Sequence, residues 1–464
     1  MDPMRDLLGF TADYASQFLG TLEERPIRAA ASVGELREAL GGPLPEEPLD
    51  AEQVVTELIA DAEPGVVAMP SGRYFGFVIG GAAAALAADW LTSTWDQNAG
   101  LVVGGPSAAV VEEVAAEWLR ELLGLPPAVS AGFVTGCQMA HVTALAAARQ
   151  HVLTAAGWEL ARDGLQGAPR IRVVVGEERH VTVDRALRLL GIGWAQLEVV
   201  PADGQGRMRA DALRDALADG GPPTIVCAQA GNVNTGSFDP LEEIAAVASD
   251  AGAWLHIDGA FGLWAAASPR FRHLVAGVEG ADSWATDGHK WLNVPYDSGL
   301  VFCAHPDSHR TAMAVHASYL EHADPAAGRD QMDWNPEFSR RARGFPVYAA
   351  LRSLGRQGIA AMVDRCCDRA LQFAGLLGAA DGVEILNDVV LNQVLVRFGD
   401  DDSLTQEIVR RVQDDGTCWV SGTTWQGRGA MRISVSNWQT SERDVERSAA
   451  AVLEAAAAVS GALR

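Results

Sequence analysis

Few folds accommodate what the middle of this chain does. Between about residues 66 and 310, short β-branched runs (IRVVVGEE, PTIVCAQA, AWLHIDGA, GLVFCAH) alternate with alanine-rich stretches of helical period (QMAHVTALAAARQHVL, TVDRALRLLG, ADALRDALADG, PLEEIAAVASDAG). Repeated strand-then-helix order buries its apolar surface best as a mostly parallel sheet covered by helices on both faces. The expectation is therefore an α/β fold with a large domain over residues 66–320. Ahead of it, residues 1–65 alternate helical patterns with breaks such as GGPLPEEPLD and read as an N-terminal helical arm. Residues 321–375 read as a loop and a connecting helix, carried by PVYAALRSLGRQGIAAMVDRCCDRALQFAGLL. Residues 376–464 then change pattern: VEILNDVVLNQVLVRF, CWVSGTTWQ and GAMRISVSN are strand candidates around a helix near Thr405 to Asp414, and an alanine-rich helix ends the chain. That predicts a smaller C-terminal α+β domain.

Charge narrows the partners. A formal charge of −24 repels phosphate backbones and anionic lipid, which argues against nucleic-acid and membrane-surface roles and leaves small molecules. The longest nearly uncharged apolar run, Tyr74 to Ala88, is too short to cross a bilayer and is interrupted by glycines. The opening MDPMRDLLGFTADYASQFLG resembles an amphipathic helix more than a basic, apolar leader, so the expected location is cytoplasmic. Six cysteines (Cys137, Cys227, Cys303, Cys366, Cys367, Cys418) show no metal-ligand spacing, and are expected to be reduced, mostly buried and free of metal.

Lys290, in SWATDGHKWLNVPYDSG, is the only lysine among 36 lysine and arginine residues. Coding bias towards arginine could leave one lysine by chance. The chemical alternative is that arginine supplies charge anywhere on a surface but stays protonated and forms no imine, so a nucleophilic amine has no arginine substitute.

The neighbours decide between these. Asp258 ends the predicted strand WLHID, where an acidic residue is either a helix cap or the charge partner of a ligand gathered at the sheet's carboxyl edge. A strand-end carboxylate and a strand-end amine together fit a pyridoxal phosphate site: the lysine makes the Schiff base, and the carboxylate keeps the pyridine nitrogen protonated so that the ring acts as an electron sink. Such a cofactor needs an anion site. GFVTGCQMAHVTAL gives strand, turn at Gly136 and helix, which puts the amides of Cys137 and Gln138 at a helix N-terminus. His180 sits at another strand-to-helix turn, able to lie flat on a ring, or to serve merely as a cap.

On these residues the chain resembles the fold-type I pyridoxal phosphate enzymes, and most of all the group II amino-acid decarboxylases, which act on aromatic amino acids, glutamate, histidine and diaminobutyrate. The block HIDGAFG with ADSWATDGHKWLNVPYDSG is specific; TGCQMAHVTAL, GNVNTGSFDPLEEI and SRRARGFPVYAALRSLG are softer. The resemblance implies a seven-stranded, mostly parallel sheet in the large domain and a homodimer with its active site between subunits. It implies Lys290 as the Schiff-base lysine, Asp258 as the partner of the pyridine nitrogen and His180 as the ring-stacking histidine. Ala260 would pack beneath the ring, and His289 would lie near the phosphate or the reacting carboxylate. The implied activity is decarboxylation of an L-α-amino acid to an amine.

Three departures bear on that expectation. The family's Gly-Gly-Ser phosphate turn is here Gly136, Cys137 and Gln138, which keeps backbone amides and loses a hydroxyl. Its Gly-Thr-Thr is here GNVNTG, which makes Asn232 the candidate for the cofactor's ring hydroxyl or the substrate. In the aromatic-acid members, a mobile loop carries a tyrosine thought to protonate the carbanion, and an ungapped match sets Gln331 near its place. Glutamine is no acid. Protonation would then fall to Tyr319, His316 or the lysine, or the carbanion would meet dioxygen and yield an aldehyde by oxidative decarboxylation-deamination. Transamination and carbon-carbon lysis are further alternatives, as is a protein that binds the cofactor without catalysis. Arg432 would clamp a substrate carboxylate or make an interdomain ion pair, and Tyr74 and Phe75 would line the pocket or belong to the core.

Overall fold

The computed structural model describes residues 3–77, 80–315 and 328–462. The chain forms two compact units: one takes in Met1–Phe77, Gln372–Leu386 and Leu395–Arg464, and the other Val78–Leu371 with Asn387–Val394.

The larger unit is built on a seven-stranded sheet: β1 (Ser130–Val134), β2 (Arg172–Gly176), β3 (Leu197–Val200), β4 (Thr224–Gln229), β5 (Trp254–Asp258), β6 (Ser283–Asp287) and β7 (Gly299–Cys303), in the order β1-β7-β6-β5-β4-β2-β3. Strands β2 to β6 run parallel, and β7 alone is antiparallel to its neighbours β1 and β6. The exception has a local cause. A parallel return needs a crossover of about a dozen residues or more, usually a helix, and no helix separates β6 from β7, so the chain doubles straight back. That doubling-back segment carries His289 and Lys290. Every residue of β1, β4, β5, β6 and β7 is buried, so both faces of the sheet are covered, as continuous apolar strands require.

The predicted strands and helices of this unit all form: the helices Cys137–Ala155, Val181–Leu189, Ala210–Leu217 and Leu241–Asp250 follow β1, β2, β3 and β4 in turn. One close approach depends on glycine: a Cβ on Gly299 would stand 2.4 Å from the Gly136 Cα, so the turn after β1 and the start of β7 touch backbone to backbone.

The smaller unit holds most of a four-stranded sheet, β8 (Val383–Ile385), β9 (Gln393–Phe398), β10 (Ser421–Trp425) and β11 (Arg428–Ser434), ordered β10-β11-β9-β8. Its hairpin turns at Gln426 and Gly427, both at positive φ (48° and 76°), the conformation a tight two-residue hairpin demands. The six cysteines are free and buried. Among the described residues, no helix is long and apolar enough to cross a membrane.

Candidate active site

Parallel strands bring their carboxyl ends to one edge, where ligands of open α/β sheets gather. Here that edge carries Gln229 at the end of β4, Asp258 at the end of β5 and Asp287 at the end of β6. Gly136 and Cys137 follow β1, and His180 follows β2. Six of the residues singled out in the sequence, Gly136, Cys137, His180, Asp258, His289 and Lys290, thus come to the same edge of one sheet.

Asp258 is 4% exposed. The Ala260 amide donates to its Oδ1 at 3.1 Å, and His141 Nε2 stands 3.5 Å from its Oδ2. Burial works against the charge, but His141, and then His180 and Lys290, outweigh it and hold the carboxyl well below the usual carboxylate range. The group is therefore a fixed anion. Ala260 packs against the small apolar cluster around Val134, Cys137 and Ala285.

Lys290 Nζ lies 3.1 Å from Asp287 Oδ2. About a quarter of its side chain is accessible (26%), against 3% for the aspartate. Burial would lower the amine's pKa, but Asp287 first, then Cys137 and Asp258, overcome it and raise it. His289 accepts from the Ser298 amide through Nδ1 at 3.1 Å, which leaves the hydrogen on Nε2, 3.4 Å from Asp287 Oδ1. Burial lowers the pKa of His289, with Asp287 opposing and Lys290 assisting.

Asp287 was not singled out in the sequence, and it corrects one expectation. The Cys137 amide, read as open for a phosphate, donates to Asp287 Oδ1 at 2.6 Å. A carboxylate thus caps the helix Cys137–Ala155 where an anion was expected, and any phosphate there shares the helix end with it. Next to it, Gln138 donates from Nε2 to Thr182 O at 3.2 Å, and its Oε1 is buried with no partner among the described residues.

His180 is the N-cap of the helix Val181–Leu189, with Nδ1 2.7 Å from Thr182 Oγ1. It nonetheless lines the same small cavity as Gln229 and Asp258. Asn232 does not reach this cavity with a free group. Its Oδ1 accepts from the Asn234 and Thr235 amides and its Nδ2 faces Glu178 O and Gln229 Oε1, so the side chain staples its own loop. Gln229 does line the cavity, and pairs in register with Asp258 on the next strand; the only sequence signal for it was its place at the end of TIVCAQ.

Gln331 also departs from its expected role. It is fully buried, with Oε1 accepting from Arg329 and Nε2 donating to the Ala109 carbonyl, and offers no group to a substrate. Tyr319 and His316 lie outside the described residues. Tyr296, which the sequence reading passed over, packs its ring 4.3 Å from that of His289. Partial burial and Asp287 raise its phenol pKa against the opposing charge of Lys290, so it keeps its proton at neutral pH.

Tyr74, Phe75 and Arg432 belong to the smaller unit. Phe75 is wholly buried, edge-on to Phe373, and is core rather than pocket lining. Tyr74 stacks on Trp419, and Arg432 donates to the Gly76 carbonyl at 3.2 Å.

The residues present fit pyridoxal phosphate: a buried fixed anion for the ring nitrogen at the end of β5, and an accessible amine just past the end of the neighbouring β6. The known proteins agree. The sequence profile described as the pyridoxal-dependent decarboxylase conserved domain matches residues 34–398. The aromatic-L-amino-acid decarboxylase of Mus musculus is 30% identical over 418 residues, covering 86% of this chain and 86% of its own. The crystal structure of Oryza sativa TDC with PLP and tryptamine superposes with a TM-score of 0.92 at 24% identity, over 99% of this chain and 98% of that one. Rhodiola rosea 4-hydroxyphenylacetaldehyde synthase gives 0.87 at 23%, over 98% of each. A profile match over most of the length and a relative this similar over most of both chains make one conclusion: the chain belongs to the pyridoxal-dependent decarboxylases.

Proposed function

We propose that the protein removes the carboxyl group of an L-α-amino acid and releases the amine. The observation that carries this reading is that one accessible lysine, Lys290, and a buried, ionised aspartate, Asp258, stand at the ends of neighbouring strands on one sheet edge. Pyridoxal phosphate, when bound, supplies a protonated pyridine ring that accepts the electron pair left by the departing carboxyl.

The chain's own residues do the rest. Lys290 would hold the cofactor's aldehyde through its amine, the one amine of the site able to do so. Asp258 holds the proton on the ring nitrogen, since an anion that does not titrate near neutrality keeps its partner charged. His180 and Gln229 bound the cavity at Asp258. Tyr296 holds a proton beside His289 and Lys290. A homodimer, and a reducing, cytoplasmic compartment suited to six buried thiols, belong to the same proposal; sedimentation equilibrium tests the former.

A second reading is oxidative decarboxylation-deamination to an aldehyde. It is favoured by Gln331, whose amide is wholly engaged and is no acid, and the Rhodiola rosea 4-hydroxyphenylacetaldehyde synthase shares the fold. Product analysis with an amino-acid panel, under air and under nitrogen, separates the two. Amine and equimolar CO2 without oxygen support the first; aldehyde and peroxide that need oxygen support the second.

A further inference from the structure

Behind Asp258 lies a polar chain that the proposed reaction does not use. His141 Nδ1 is 2.9 Å from His256 Nε2, His256 Nδ1 is 2.9 Å from Ser283 Oγ, and Trp254 Nε1 donates to the same hydroxyl at 2.9 Å. His141, His256 and Ser283 are wholly inaccessible. Three elements contribute: the helix Cys137–Ala155, β5 and β6. Buried polar groups are costly unless each finds a partner, so four in a row with matched partners form a network that specifies one arrangement.

Burial first, and then the neighbouring His141, push the His256 pKa down to about 3, so this ring is neutral and carries one N–H. If Ser283 donates to His256 Nδ1, then His256 Nε2 donates to His141 Nδ1, and the remaining hydrogen of His141 is on Nε2. If the bonds run the other way, His141 Nδ1 donates to His256, and a bare Nε2 would set a lone pair against the Asp258 carboxylate. The first register is therefore favoured, and it puts an N–H on His141 Nε2, 3.5 Å from Asp258 Oδ2 and 3.5 Å from Cys137 Sγ.

We propose that His141, aligned by His256 and Ser283, is a positioning residue that keeps Asp258 in the orientation and charge state needed to hold the pyridine nitrogen. This rests on the reading that Asp258 meets that nitrogen. The other charged or titratable groups facing Asp258 are Cys137, His180, Cys227 and Lys290, with Asp239 acting on it at longer range. Cys137, His141 and Asp258 also offer donor atoms within 4.8 Å of one another. In this structure the group is tied into the network, with His141 engaging His256 through its second nitrogen.

The test uses two substitutions of unequal reach in the full-length protein. In His141→Asn the amide replaces Nδ1 and keeps a partner for His256 but withdraws the donor from Asp258. In His141→Gln the amide replaces Nε2 and retains that donor. Loss of one hydrogen bond to a charged group predicts a pyridoxal phosphate dissociation constant raised roughly tenfold or more in His141→Asn, with a shifted pH dependence of the bound cofactor's absorbance, and recovery of most of both in His141→Gln. Equal behaviour of the two variants, whether both intact or both impaired, overturns the proposal. Asp258→Ala is the control for the underlying reading: if it leaves cofactor affinity unchanged, that reading fails, whereas an effect there with none in His141→Asn sinks only the inference. Should the variants fold poorly, 15N-histidine spectra of the wild type decide. The His256 signal must show a neutral ring and move on addition of cofactor, and an unmoved signal overturns the proposal. One equivalent of zinc, removable by chelator with loss of cofactor affinity, would also overturn it.

Discussion

The two aspartates of the site are held in opposite ways. Asp258, at the end of β5, faces a histidine relay with no water access, and its charge is fixed by the fold. Asp287, at the end of β6, faces groups that must change partners: the only lysine, a helix-end amide and His289. One wall of the site is thus a permanent electrostatic support and the other an exchangeable one. The lesson is that burial by itself does not assign a role. Both carboxylates are buried, and what separates them is whether their partners can leave.

The strongest test of this contrast is Lys290→Ala, which removes the one nucleophilic amine. Turnover should fall by about a thousandfold or more, with loss of the bound cofactor's visible absorbance. Retained absorbance of the tethered cofactor would break the assignment of the exchangeable wall. Next is Asp258→Asn, which keeps shape and removes the fixed charge. By analogy with removal of a single electrostatic support from other active sites, a fall of roughly a hundred- to a thousandfold in kcat is expected.

Asp287→Asn should act more mildly and on the amine itself. Its carboxylate is the main group raising the Lys290 pKa, so its loss should move the onset of Lys290 labelling by an amine-directed reagent to lower pH. The shift is about one unit or less. Because the chain has one lysine, mass spectrometry of the intact protein reads this directly, with the α-amino terminus as an internal reference. An unmoved labelling profile would place the two aspartates in the same class.

The smallest effect expected is on acid stability. His256 and His309 are both held neutral by burial, with pKa values pushed down to about 3. Unfolded, each would titrate near about 6.5, so between those values the unfolded chain binds more protons. Stability is therefore highest above about pH 6.5 and falls as the pH drops towards 3. The urea midpoint should decrease from pH 7 to pH 5, and His309→Gln, far in sequence from the relay, should flatten that slope without altering cofactor affinity.

Much of the site was legible because strand ends are legible. Asp258 and Lys290 each closely follow a β-branched or aromatic run that could hardly be anything but a buried strand, and the β-then-α order fixes which ends of those strands meet. Residues whose role depends on partners distant in sequence were not legible in the same way. Asn232 had the right chemistry, but its loop curls so that its own backbone consumes the amide. Gln331 looked like a substituted loop residue, yet Arg329 and Ala109 bury it. Asp287 and Tyr296 flank the lysine by three and six positions, and no periodicity distinguishes such neighbours from ordinary loop residues.

What the sequence determined alone was the sheet, its carboxyl edge and the presence of one amine that arginine could not replace, since each of these follows from local propensity, hydrophobic period and the chemistry of a single residue type. What only the tertiary structure decided was the state of those groups. His141 reaches Asp258 from a helix more than a hundred positions away, His256 and Ser283 come from two different strands, and Asp287 caps a helix that begins 150 positions earlier. Charge and hydrogen-bond direction depend on distance in space and on exclusion of water, and neither is set until the strands have paired.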